Sequence, residues 1–149
     1  MAELIPTHIT LLPPTQVPEE GLPGIESHLL SVAERHAPFR LHLRGTATFR
    51  PKSPVVFVAV VEGISHCETL STAARSGPLE VELSFPYHPH VTVAHHLDDA
   101  TLDHAFAALA DFDAVVQISM FAIYEHGPDQ VWRPQRDFVL GGPLPGPVA

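Results

Sequence analysis

Between 39 and 49 the chain alternates. Phe39, Leu41 and Leu43 are apolar while Arg40, His42 and Arg44 are polar, which is the period of a strand with one wet face. Gly45 interrupts this run and predicts a bulge. Residues 55–61 are continuously apolar and mostly β-branched, the pattern of a strand buried on both faces. Over 24–37, Ile25, Leu29, Val32 and Ala33 share one face of a helix that stops before Pro38, and Pro18-Glu19-Glu20 marks a possible earlier start. A second helix is predicted over 64–75, closed by Ser76-Gly77-Pro78. A third, capped by Asp98-Asp99, runs to 112 with Leu102, Phe106, Ala107, Leu109 and Ala110. Further strands are predicted over 4–12, 90–95, 115–124 and 131–140, with 79–85 an irregular link and 126–129 a turn. The order is βαββαβαββ, an α+β chain of antiparallel sheets with helices outside.

Two of these strands carry the same phrase. Thr7-His8-Ile9-Thr10-Leu11 opens the chain, and Pro89-His90-Val91-Thr92-Val93 repeats its pattern in the second half. Alternate residues of a strand point to opposite faces, so each His shares a face with its Thr, about 6–7 Å along the strand, while Ile9 or Val91 points into a core. Each phrase is followed by a helix and a pair of strands, a duplication at the level of pattern. Two imidazoles presented by equivalent halves can serve as one general base and one general acid.

Composition narrows the partners. The net charge is −9 with only eight basic residues, so long nucleic acid is not expected to be held tightly. Five of the eight lie between Arg35 and Lys52, enough for one small phosphate. No apolar run reaches the ~20 residues of a membrane span, and Met1-Ala2-Glu3-Leu4 does not open a signal peptide, so no membrane partner is expected. The single cysteine, Cys67, excludes an internal disulfide and fits a cytoplasmic protein, where it is read as a small packed residue.

The paired phrases resemble the two-histidine (2H) phosphoesterase superfamily, in its branch of bacterial 2′-5′ RNA ligase-like proteins. His8-Ile9-Thr10-Leu11 is similar to the family's His-x-Thr-Leu, and Pro89-His90-Val91-Thr92-Val93-Ala94 to its Pro-His-x-Thr form. Phe121-Ala122-Ile123-Tyr124-Glu125, Gly127 and Trp132 look like its last hairpin; the likeness covers about 3–141. The chain departs from many relatives at Leu12-Pro13-Pro14, where they continue with an aromatic and a glycine, and at His95-His96, where they carry a basic residue.

The resemblance implies one bilobal domain over 1–141: two pseudo-symmetric lobes of antiparallel sheet backed by helices, with a central groove. The residues 142–149 are expected to form a disordered tail. It implies His8, Thr10, His90 and Thr92 as catalytic residues lining the groove, with no metal and no organic cofactor. The expected activity is a metal-independent phosphodiesterase acting on a 2′,3′-cyclic nucleotide or an RNA end, run backwards as 2′-5′ ligation in RNA processing. A monomer is expected. Tyr124 and Trp132 are candidates for stacking a base, Arg44 and Arg133 for meeting phosphate, and His42 for facing the groove. Two other classes stay open. One is a non-catalytic module binding nucleotides or RNA ends. The other is a metal-binding protein using the imidazole cluster of His88, His90, His95 and His96.

Overall fold

The computed structural model describes residues 7–84, 86–129 and 131–142. A 3-10 turn at Glu19–Gly21 leads into helix α1 (Leu22–Arg35). Strands β1 (Phe39–Thr48) and β2 (Val55–Glu62) follow, then α2 (Ile64–Ala74) and a short 3-10 turn at Gly77–Leu79. The second half holds β3 (His90–His95), α3 (Asp99–Ala108), β4 (Asp113–Ile118), β5 (Met120–His126) and β6 (Trp132–Val139). β3, β2, β1 and β4 form, in that order, an antiparallel sheet, and β5 and β6 form a second. The antiparallel α+β architecture expected from patterning is present. The two halves interleave, because β3, which carries the second phrase, pairs with β2 of the first half.

Two predicted strands differ. Residues 7–12 form no strand, and 4–6 lie outside the described residues. Side chains hold this segment instead of a ladder. The Tyr87 hydroxyl donates to the Thr10 carbonyl at 2.7 Å, and the Ser71 hydroxyl to that of Leu11 at 2.6 Å. The strand predicted over 115–124 is two, broken at Ser119 where the chain leaves the larger sheet for the smaller. The Ser119 carbonyl accepts from the Leu140 N–H at 2.9 Å, anchoring the crossing without a Gly or Pro to announce it. Helix α3 also stops at Ala108 and continues as turns to Phe112. The predicted tail begins with ordered contacts. The N–H groups of Gly141 and Gly142 donate to the carbonyls of Ala33 and His36, while 143–149 lie outside the described residues.

The main core joins both sheets to α1 and α2. Ile25, Leu29, Val32 and Ala33 of α1 meet Cys67, Leu70 and Ala74 of α2, Phe39 and Leu41 of β1, and Phe138 of β6. Each large side chain taken fully from water contributes about 1.5–3 kcal/mol. A smaller cluster of Val56, Ala94 and Leu102 seats α3 on the four-stranded sheet. Asp98 caps that helix, accepting from the Thr101 N–H at 2.8 Å; these bonds hold its carboxyl below the usual range. The chain turns from β2 into α2 through Gly63 at φ +101°, where a Cβ would lie 2.8 Å from the Arg40 carbonyl oxygen.

Bulges shape the larger sheet. The predicted one at Gly45 (φ +72°) falls where the β1–β2 register slips between Leu43 and Thr46. A second lies in β3. Phe57 opposes Thr92 and Val56 opposes Ala94, so Val93 is the extra residue. This bulge leaves Val93 exposed and lets Val91 and Ala94 both be buried.

Candidate functional site

β3 presents His90 and Thr92 opposite Ala59 and Phe57 of the central strand, while Val91 between them is 8% exposed. The alternation expected of the second phrase is therefore present. The His90 ring rests on an aromatic wall, with centroids 5.1 Å from Phe57 and 5.0 Å, perpendicular, from Phe49. Its Nδ1 lies 2.7 Å from the His88 carbonyl oxygen. A carbonyl only accepts, so Nδ1 carries the hydrogen and the neutral ring keeps its lone pair on Nε2. Burial pushes the His90 pKa below its ordinary value. The bond to His88 opposes that push, and positive charge on His88 or His8 reinforces it.

The smallest of these contributions comes from the first imidazole. The rest of the first phrase is held as its alternation requires. Ile9 packs against the main core while His8 and Thr10 are exposed. Tyr87 links the phrases. It precedes His90 by three residues, and its hydroxyl grips the Thr10 carbonyl. Burial drives its phenol pKa up, so it stays a donor at any ordinary pH. Sequence reasoning missed Tyr87 and Ser71. The run Tyr87-His88-Pro89-His90 was a signal for the former; Ser71, fully buried on a helix, gave none.

The other candidates lie on β1, β5 and β6. Arg44 has its Nε 3.7 Å from Asp113, which also takes His42 Nε2 at 2.8 Å. Both face a carboxylate of β4, across two strands from β3. Arg133 forks onto Asp129 at 2.6 and 3.1 Å in the β5–β6 turn, and this pairing draws Asp129 down to about 2. Tyr124 and Trp132 are half-buried on the smaller sheet, where Trp132 leans on His126 with centroids 4.5 Å apart. Among the described residues, no three His, Cys, Asp or Glu side chains gather as a metal would require. The His95 and His96 rings meet edge to face, with centroids 5.0 Å apart. No helix among the described residues is long and apolar enough to cross a membrane. Cys67 is buried, its thiol pushed up to about 11 by burial and by Glu68, as fits a packing residue.

Comparison with known proteins identifies the family. Residues 1–130 match the family model of the 2′-5′ RNA ligase superfamily. A Bacillus cytotoxicus protein named "Putative phosphoesterase" is 31% identical over 142 residues, covering 93% of this chain and 81% of the relative. An Oceanobacillus iheyensis protein of the same designation is 26% identical, covering 93% and 82%. Among solved structures, a Thermus thermophilus protein shares 26% identity at a TM-score of 0.60, covering 91% of this chain and 79% of its own. Escherichia coli LigT, solved with 3′-AMP, has the same fold at a TM-score of 0.67 and 22% identity, covering 91% and 77%. The chain belongs to the 2′-5′ RNA ligase superfamily of phosphoesterases.

Proposed function

We propose that this phosphoesterase opens cyclic phosphodiesters, such as 2′,3′-cyclic nucleotides, with His90 as general base and His8 as general acid. The observation that carries this reading is the 2.7 Å bond from the Tyr87 hydroxyl to the Thr10 carbonyl, which ties the segment of the first phrase to that of the second. His90 suits the base: its Nδ1–H is committed to the His88 carbonyl, its Nε2 is left to accept, and its lowered pKa keeps it neutral near pH 7. Nε2 takes a proton from water as the water oxygen bonds to phosphorus. The bond from phosphorus to a ribose oxygen breaks on the opposite side, and His8 in its charged form delivers a proton to that oxygen. Thr10 and Thr92 donate to the non-bridging oxygens as charge grows there. Each well-placed acid or base is worth roughly 10²–10⁴-fold.

With a 5′-hydroxyl in place of water, the same steps join two RNA ends: the 5′-oxygen gives up its proton to the base and bonds to phosphorus as the bond to the 3′-oxygen breaks and that oxygen takes the acid's proton, leaving the 2′-5′ linkage that the family's name describes. The reading favours small nucleotides or RNA ends over long RNA, because a chain of net charge −9 has little with which to neutralise many phosphates. LigT has been solved with 3′-AMP, with NADP+ and with ATP, which supports a nucleotide-sized ligand here. No step is assigned to Arg44 or Arg133, whose guanidinium groups are held by carboxylates. Tyr124 and Trp132, half-buried on the smaller sheet, are the aromatic candidates for stacking a base.

The test is a screen of 2′,3′-cyclic nucleotides and short 2′-5′ oligonucleotides against the wild type, His8→Ala and His90→Ala. Turnover by the wild type and a loss of at least about 10²-fold in each variant is expected. A wild type that binds nucleotides yet converts none would establish a binding module instead.

A further inference from the structure

We propose that His88 is a third imidazole of this site, a substrate-binding residue whose charged form takes a phosphate oxygen beside His90. The inference rests on the reading of His90 as part of a phosphoester site and goes beyond it, since His88 lies outside both His-x-Thr phrases.

The geometry is that of a shared platform. His88 and His90 are two residues apart and both rings stand against the same two phenylalanines. His88 lies 5.4 Å from Phe49 at 79° and 5.3 Å from Phe57 at 73°, and 5.9 Å from the His90 ring. Between them Pro89 is buried and fixes the backbone, while the His88 carbonyl orients the His90 ring. His88 itself is exposed, so its ring nitrogens are open to a ligand. The rings stand about 6 Å apart, so a phosphate held by a charge-assisted N–H···O bond of about 2.8 Å from His88 lies beside the His90 ring, whose Nε2 stays free to accept a proton.

The chemistry differs from that of His90. A bound phosphate stabilises the charged form of an imidazole beside it. The elements packed against His88 present uncharged rings: Phe49 follows β1 and Phe57 lies in β2. The titratable neighbours are His90 on β3 and, through it, His8 of the first phrase. Arg50, next to Phe49, is engaged by Asp99 and Asp103 of α3. Substrate binding through His88 is therefore strongest where an imidazole is charged, while the proton transfers remain with His90 and His8.

The experiment compares wild type, His88→Gln and His88→Lys at pH 6.0 and 8.5. It measures kcat and KM on 2′,3′-cyclic AMP and calorimetric binding of adenosine 3′-monophosphate, with a thermal melt of each protein to check folding. At pH 6.0, His88→Gln should raise KM and Kd about tenfold with kcat changed less than threefold. At pH 8.5 its deficit should shrink to within twofold. His88→Lys should keep tight binding at both values. If His88→Gln, folded, binds within twofold of wild type at pH 6.0, the proposal is overturned. A fall in kcat with KM unchanged would also overturn it, assigning His88 to holding the His90 ring. Wild-type turnover tests the phosphodiesterase reading separately, and the nucleotide titration tests His88 even where turnover is absent.

Discussion

Replacing Tyr87 by Phe tests how the two phrases are joined. The substitution deletes one oxygen and keeps the ring, which packs against the main core. What is lost is a 2.7 Å bond from the hydroxyl to the Thr10 carbonyl. A buried carbonyl left without a donor costs about 1–3 kcal/mol, but Thr10 is exposed and water can reach it, so the lower figure of about 1 kcal/mol applies. For a chain of this length that is a fall of roughly 2–4 °C in Tm. The effect on catalysis should be larger. His8 is two residues from the released carbonyl, and a displacement of ~1 Å in a reacting group can cost on the order of 10²-fold. Steady-state kinetics on a 2′,3′-cyclic nucleotide should show kcat down roughly 10–100-fold, with KM changed much less. A variant that melts a few degrees lower yet keeps its kcat would refute the reasoning, because the bond would then support the fold without placing His8.

Other consequences follow from single contacts. Gly63→Ala forces a Cβ against the Arg40 carbonyl at a φ that side chains avoid, and should cost about 3 kcal/mol; differential scanning calorimetry should show Tm lower by roughly 6–12 °C. His90 holds its proton less tightly folded than unfolded, so its contribution to stability is complete above the ordinary histidine value of 6.5 and declines as pH falls from there through the folded pKa. Urea titrations from pH 8 to 5 should show that slope in the wild type and a shallower one in His90→Gln; equal slopes would count against a depressed pKa. The rate profile of kcat/KM should be bell-shaped, with an acid limb below 6.5 set by His90, and a limb unmoved in position by any change near His90 would contradict its assignment as base.

The helices and four of the predicted strands were legible because their signals are local. The faces of Ile25, Leu29, Val32 and Ala33, the Asp98 cap and the apolar run of β2 each specify an element within a dozen residues. The break at Ser119 was not legible, since alternation runs on across it and only the pairing of β4 with β1 and β5 with β6 divides it. The first phrase looked like a strand by composition, yet residues 7–12 are held by Tyr87 and Ser71, partners distant in sequence. At the candidate site, repetition of His-x-Thr picks out the two imidazoles, the half-buried Ile9 and the buried Val91. The arginines' partners were not legible in the sequence. Arg44 and Arg133 read as cations free for phosphate, but Asp113 and Asp129 engage them, and the two pairs are formed by folding of the sheet edge and the hairpin turn.

The convergence of the two phrases is tested most directly by NMR titration of the histidine rings. In the wild type the His90 ring should carry its neutral-form hydrogen on Nδ1 and titrate below 6.5, and in His8→Gln its pKa should rise because a neighbouring positive charge is gone. A His90 ring that titrates at the ordinary value, and does not respond to the change at position 8, would mean that the two imidazoles do not share a site.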